Sequence, residues 1–178
     1  MRVRDRAGLP AGTRAAGGLR RPQPGRVRLV VEVRRQRTMP AEPVEVWQVV
    51  SDPARLPQWW PGVSRVEEAS PEAWTQVLTS SKGKSLRADY TRLEAEEARR
   101  LLWRHEVEES PFERILAEST TEIVLEPEDG RTRVEIAISQ QPRGWARLSP
   151  FQLRAAATKQ VESALEGLER LLAPEGGS

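Results

Sequence analysis

Thr121-Glu122-Ile123-Val124-Leu125-Glu126-Pro127-Glu128-Asp129-Gly130-Arg131-Thr132-Arg133-Val134-Glu135-Ile136-Ala137-Ile138 is the stretch that decides the fold. Asp129-Gly130 favours a two-residue type I′ turn, because both central residues of that turn need positive φ. The turn fixes the register: Leu125 is expected opposite Val134, Ile123 opposite Ile136 and Thr121 opposite Ile138. On the other face Glu126 meets Arg133 and Glu128 meets Arg131. Apolar pairs on one side and opposite charges on the other predict a half-buried antiparallel hairpin.

Such a face has to be covered, and the chain that follows supplies the cover. After Pro142-Arg143-Gly144, the residues Phe151, Ala155, Thr158, Val161, Leu165, Leu168 and Leu172 recur at spacings of three and four. Arg154, Lys159, Glu162, Glu166 and Glu169 fall off that line, so a helix is expected from about Ser149 to Ala173. Pro150 suits its first turn, and Pro174 with Gly176-Gly177 ends it. At 1.5 Å per residue, roughly 25 residues reach nearly 40 Å, enough to cross a sheet.

Upstream, Val27, Leu29, Val31 and Val33 alternate with mostly polar neighbours and predict a first strand running to about Thr38. Pro43–Val50 reads as a short amphipathic helix, and Ser51-Asp52-Pro53 can cap another through Leu56 to Trp60. Strands are expected at Val63–Glu68 and Trp74–Thr79, then where Leu86, Ala88 and Tyr90 alternate, then where Leu101, Trp103, His105 and Val107 alternate. The order is one strand, two short helices, a six-strand meander and one long helix. This is an α+β helix-grip architecture: a curved antiparallel sheet of about seven strands wrapped around the C-terminal helix.

The 178 residues suffice for one domain, and the absence of cysteine excludes disulfides and thiolate metal sites. The pI near 9.5 is misleading. Residues 1–39 carry a net charge of +9 and the remainder carries −7, so the basic character is N-terminal. An acidic globule is a poor partner for a phosphate backbone, so no specific nucleic-acid binding is expected. Residues 1–26 are rich in Arg, Gly, Ala and Pro and are expected to be a disordered basic tail; residues 27–173 form the domain and 174–178 a flexible end. Pro22-Gln23-Pro24-Gly25, not an apolar stretch, follows Arg20-Arg21, so no export signal is read there. No transmembrane span is expected, and the expected location is the cytoplasm.

The order of elements, with Val44-Glu45-Val46-Trp47, Ser51-Asp52-Pro53, Leu56-Pro57-Gln58-Trp59-Trp60-Pro61-Gly62-Val63 and Leu125-Glu126-Pro127, resembles the START/Bet v 1-like (SRPBCC) superfamily. It looks most like the bacterial polyketide cyclase/dehydrase branch. The resemblance covers roughly residues 27–173 and implies a hydrophobic pocket between the sheet and Phe151–Leu172. Members of that superfamily include lipid-transfer proteins, aromatase/cyclases, coenzyme Q-binding proteins and chaperone-activating domains, among which fold alone does not choose.

His105 is the only histidine, which removes histidine-clustered metal sites. Alternation places it on the inward face with Leu101, Trp103 and Val107, where it is a general base, an orienting group for a ligand, or a hydrogen-bonded core residue. Tyr90, on the Leu86/Ala88 face, either offers a hydroxyl or packs in the core. Of Trp59 and Trp60, at most one is expected to face a cavity, and the pair otherwise staples the short helices to the sheet. Gly83, Gly130 and Gly144 are turn glycines, with no phosphate-binding motif. The glutamate clusters read as solvated surface.

Three functions follow. The first is binding or transport of a small hydrophobic or amphipathic ligand (a lipid, polyketide or isoprenoid-like molecule) in a cavity of several hundred Å³. Its expected lining is Trp60, Leu86, Tyr90, Trp103, His105, Thr121, Ile123, Ile136, Phe151, Val161 and Leu165; Trp103, His105, Ile123, Ile136 and the inward face of the last helix bound it, and close packing of those side chains with no void would sink the reading. The cavity is inferred from the scarcity of aromatic filler, two phenylalanines and one tyrosine. The second is a cyclase/aromatase- or dehydrase-type enzyme with His105 or Tyr90 moving protons. The third is a protein-interaction regulator. No cofactor or metal is called for, and a monomer or homodimer is expected.

Overall fold

The computed structural model describes residues 28–80 and 82–174. The expected tail, the strand start at Val27 and most of the expected flexible end lie outside the described residues. Seven strands make one antiparallel sheet: β1 (Val31–Met39), β2 (Val63–Glu67), β3 (Ala73–Thr79), β4 (Ser85–Glu96), β5 (Arg100–Glu106), β6 (Leu116–Glu128) and β7 (Arg131–Pro142). Their spatial order is β1-β7-β6-β5-β4-β3-β2, so the first strand closes onto the last. Between β1 and β2 lie α1 (Pro43–Val50), a 3₁₀ turn at Pro53–Arg55 and α2 (Leu56–Trp59). A second 3₁₀ turn, Gly144–Leu148, leads into α3 (Pro150–Leu172). This is the helix-grip architecture read from the sequence.

The β6–β7 hairpin has the register that its turn dictates. Leu125 pairs with Val134, Ile123 with Ile136 and Thr121 with Ile138. Asp129 and Gly130 have φ of 48° and 75°, the positive pair that a type I′ turn requires. Ile123, Val134 and Ile136 are completely buried. On the outer face Glu126 pairs with Arg133 and Glu128 with Arg131, as expected; Arg133 donates to Glu126 at 2.5 Å, and Glu128 also accepts from Thr38 Oγ1 at 2.7 Å. Irregularities at Val63/Arg65 in β2, Arg92/Glu94 in β4 and Leu116/Glu118 in β6 break the ladder. Bulges of this kind bend a strand and let the sheet curl.

Asp52 accepts the Ala54 N–H at 2.9 Å, so the expected cap forms between the two short helices. The buried face of α3 is Ala157, Val161, Ala164, Leu165, Gly167 and Leu168. A Cβ on Gly167 would lie 2.4 Å from the Trp59 carbonyl oxygen, so α3 meets α2 backbone to backbone. From Val161 onward the expected stripe holds, but its N-terminal half is rephased. Phe151 is 79% exposed and Ala155 is exposed, while Leu153 and Ala157 turn inward. At about 100° per residue, Phe151 and Leu153 sit on opposite flanks of Val161, and the buried arc leans toward Leu153.

Candidate functional site

Three neighbouring strands align a row of rings on the inner face. The register pairs Trp74 of β3 with Tyr90 of β4, and Tyr90 with His105 of β5. Tyr90 stacks on both: its centroid is 5.9 Å from Trp74 at 7° and 4.8 Å from His105 at 19°. Phe112, from the β5–β6 connection, meets His105 edge-on at 4.9 Å. Trp103, one inward position back along β5, touches Trp60 and Trp74 edge-on at 5.6 and 5.7 Å. Behind the row, Arg92 lies 5.8 Å from the Trp74 ring and donates to the Ser51 carbonyl at the end of α1.

The row ends at a cavity of about 180 Å³ between the sheet and the N-terminal half of α3. Trp60, Leu78, Tyr90, His105, Phe112, Ile115, Leu116 and Ile138 form most of its wall, with Leu153 and Gln160 from α3. Ser119, Thr121 and Gln140 add polar groups. Two of the lining residues present a buried side-chain atom without a hydrogen-bond partner: His105 Nε2 and Gln140 Oε1. Among the described residues, six further buried side-chain atoms without a hydrogen-bond partner lie outside this lining, on Trp59, Trp74, Gln76, Arg92 and Trp103.

Burial sets the charge state. His105 is 6% exposed. Desolvation holds its pKa below the ordinary histidine value, with the Asp89 and Glu106 carboxylates pulling weakly the other way. Burial likewise pushes the Tyr90 phenol above the usual tyrosine range. At neutral pH both rings are therefore uncharged hydrogen-bonding groups. Outside the cavity, Arg104 holds the Glu106 carboxyl below its usual range. Among the described residues no group of three or more His, Asp or Glu side chains is placed to hold a metal ion.

Of the residues expected in the lining, Trp60, Tyr90, His105 and Thr121 meet at the cavity. Leu86 is half-buried, paired with Leu78 and outside the cavity lining. Trp103, Ile123, Ile136, Val161 and Leu165 are at most 2% exposed and close-packed in the core. Phe151 faces solvent. The cavity is smaller than expected because tryptophan is the filler: Trp59, Trp60, Trp74 and Trp103 are all buried, and counting only phenylalanine and tyrosine overlooks them. Both Trp59 and Trp60 turn inward, although only Trp60 reaches the cavity. Gln140 and Ser119 had a signal in the sequence. They extend the inward rows Val134-Ile136-Ile138 and Leu125-Ile123-Thr121, where a polar residue stands out. Phe112 and Ile115 lie in a connection, where no period points to them.

A larger depression of about 600 Å³ lies on Pro43, Glu96, Arg99, Arg100, Glu126 and Pro127, away from the ring row and from every candidate residue.

A seven-stranded sheet gripping a terminal helix, with a small cavity between the two, defines a helix-grip domain of the START/Bet v 1-like type. The chain belongs to the family described as polyketide cyclase/dehydrase and lipid transport, whose pattern matches residues 30–173. No curated protein matches the chain. Among solved structures it is similar to StfQ, a di-domain ARO/CYC protein from the steffimycin biosynthetic pathway, at 13% identity and a TM-score of 0.67. That match covers 81% of this chain and 51% of StfQ, so the chain spans about half the di-domain protein. A START superfamily protein from Mycobacterium smegmatis is similar at 13% identity and a TM-score of 0.66, over 79% of this chain and 96% of that one. Ara h 8.0201 is similar at 17% identity and a TM-score of 0.63, over 80% and 97%. At these identities the likeness is one of fold. Among the described residues, no helix is long and apolar enough to cross a membrane.

Proposed function

We propose that this domain binds a small amphipathic molecule, seating a ring or short apolar end in the cavity beneath Tyr90 and His105. The observation that carries the reading is the pair of unpartnered buried atoms, His105 Nε2 and Gln140 Oε1, in the wall of one largely apolar cavity. Each leaves a hydrogen bond unmade, at a cost of about 1–3 kcal/mol, and a ligand hydroxyl, which donates to Gln140 Oε1 or pairs with His105 Nε2, regains it on binding. Trp60, Leu78, Phe112, Ile138 and Leu153 supply the apolar contact. The stacked Trp74–Tyr90–His105 row holds the imidazole in place before the ligand arrives. The volume is below the roughly 300–1,000 Å³ of sites that enclose a drug-sized ligand. The cavity therefore takes one end of a longer molecule, or a small one whole.

Native mass spectrometry of the chain purified from its source cells tests this. A co-purified mass is expected on the wild type and absent from the His105→Phe/Gln140→Leu variant. A wild type without adduct, or an adduct that survives the double substitution, defeats the reading.

The stack of Tyr90 on His105 supports a second reading, in which the two rings exchange protons with a bound cyclase- or dehydrase-type substrate. Turnover that is unchanged in His105→Ala would remove it.

A further inference from the structure

We propose that the chain from Gly144 to Phe151 is a docking surface for an anionic lipid bilayer, set against the rim of the cavity. Trp145, Leu148 and Phe151 are 63%, 88% and 79% exposed, the three most exposed large apolar side chains among the described residues. They recur every third residue. In the 3₁₀ turn Gly144–Leu148, residues three apart lie on the same side. Trp145 and Leu148 thus project together, while Ala146 on the other side is buried. Phe151 continues the series into the first turn of α3.

The chain segment that carries this ridge has charge of one sign. From Ala137 to Val161 the sequence holds Arg143, Arg147, Arg154 and Lys159 and no acidic residue, although residues 40–178 as a whole carry −7. Arg147 and Arg154 are exposed and have no carboxylate partner among the described residues. Glu113, the carboxylate on this rim, is occupied by Arg143 at 3.2 Å and by the Glu109 N–H at 3.1 Å. Tryptophan, leucine and phenylalanine flanked by arginine are what the headgroup layer of an acidic membrane accepts. The same charge opposes two other occupants: the arginine-rich N-terminal segment of this chain, and any basic partner.

The ridge is tied to the cavity. The Arg143 N–H donates to the Ile115 carbonyl at 2.8 Å, and the Ser149 N–H to the Ala146 carbonyl at 3.3 Å. Ile115 and, three residues beyond Phe151's neighbour Pro150, Leu153 both line the cavity. A bilayer seated on the ridge therefore faces the rim through which an amphipathic molecule would pass.

Flotation of the full chain with phosphatidylcholine vesicles, with and without phosphatidylglycerol, tests the proposal with no cavity ligand present, so its failure leaves the cavity reading untouched. The wild type is expected to float with the phosphatidylglycerol vesicles, and about tenfold less with phosphatidylcholine alone. Trp145→Ala/Leu148→Ala/Phe151→Ala is expected to weaken vesicle binding by about 100-fold, because three interfacial anchors are removed. Arg147→Glu/Arg154→Glu keeps the anchors and is expected to weaken the preference for phosphatidylglycerol. Both variants should retain the wild-type circular dichroism spectrum and thermal midpoint, since the substituted side chains are exposed. Three results would overturn the proposal: no flotation of the wild type, wild-type flotation of the triple variant, or a concentration-dependent dimer that the triple variant abolishes while vesicles are ignored. The second would assign binding to the basic N-terminal segment, and the third would assign the ridge to a second copy of the chain.

Discussion

Replacing His105 by phenylalanine removes the one imidazole of the cavity while preserving a flat ring on Tyr90, 4.8 Å away. Two effects set the magnitude. The unpartnered Nε2 disappears, and an unpaired buried polar group costs about 1–3 kcal/mol. The additional ring atom meets the 180 Å³ cavity, so the overpacking penalty of about 1–3 kcal/mol seen in tight cores is largely avoided. The variant is therefore expected to be more stable than the wild type by about 1 kcal/mol near pH 8, or roughly 2–4 °C in thermal midpoint. The advantage should grow in acid. Burial holds the folded His105 pKa below the unfolded value of about 6.5, so between those two values the unfolded chain binds a proton that the folded chain does not. Wild-type stability falls as pH drops through that window, whereas the variant lacks this loss. Glu106, lowered in the folded state mainly by Arg104, adds a loss at more acidic pH that is common to both proteins. Thermal denaturation from about pH 8 down to about pH 5 measures the difference. A variant less stable than wild type at the upper pH, or one whose stability tracks the wild type across the range, would refute the assignment of Nε2 as an unpaired buried atom.

Gly167→Ala places a Cβ 2.4 Å from the Trp59 carbonyl oxygen. Backbone cannot swing aside, so the helix must lift, and a net loss of about 2 kcal/mol is expected in urea denaturation despite alanine's better helix propensity of about 1 kcal/mol. Thr132 is completely buried and donates to the Ala41 carbonyl at 2.7 Å. Thr132→Val keeps the shape, leaves that carbonyl unpaired and should cost about 1–3 kcal/mol by the same assay. Glu126→Gln, by contrast, removes the exposed partner of Arg133 and should change stability by at most about 0.5 kcal/mol.

The sheet was legible wherever a turn and an alternation reinforced each other. At Asp129-Gly130 the backbone demand of the turn and the facing pattern of the strands each imply the same register, and the structure has it. The helix was legible only in its apolar half. Phe151 is the largest apolar residue near its start, yet a large side chain carries no information about which flank of the helix touches the sheet; the small Ala157 is buried instead, and Gly167 makes the close approach to α2. The cavity was half legible. His105 and Tyr90 sit where strand alternation puts them, but Phe112 and Ile115 come from a connection whose path depends on tertiary packing. The size of the cavity depends on how four buried tryptophans interlock, a property of shape that no linear pattern encodes.

Because His105 is the only histidine, its ring nitrogens give one unambiguous pair of resonances in a long-range ¹H–¹⁵N spectrum. Titrating the protein with p-cresol, a single ring bearing one hydroxyl, places the proposed ligand chemistry beside them. A saturable shift of Nε2 that is weakened in Gln140→Leu is the result expected if the cavity is the binding site. Saturable binding that leaves both nitrogens unmoved would put the site elsewhere on the domain and contradict the account.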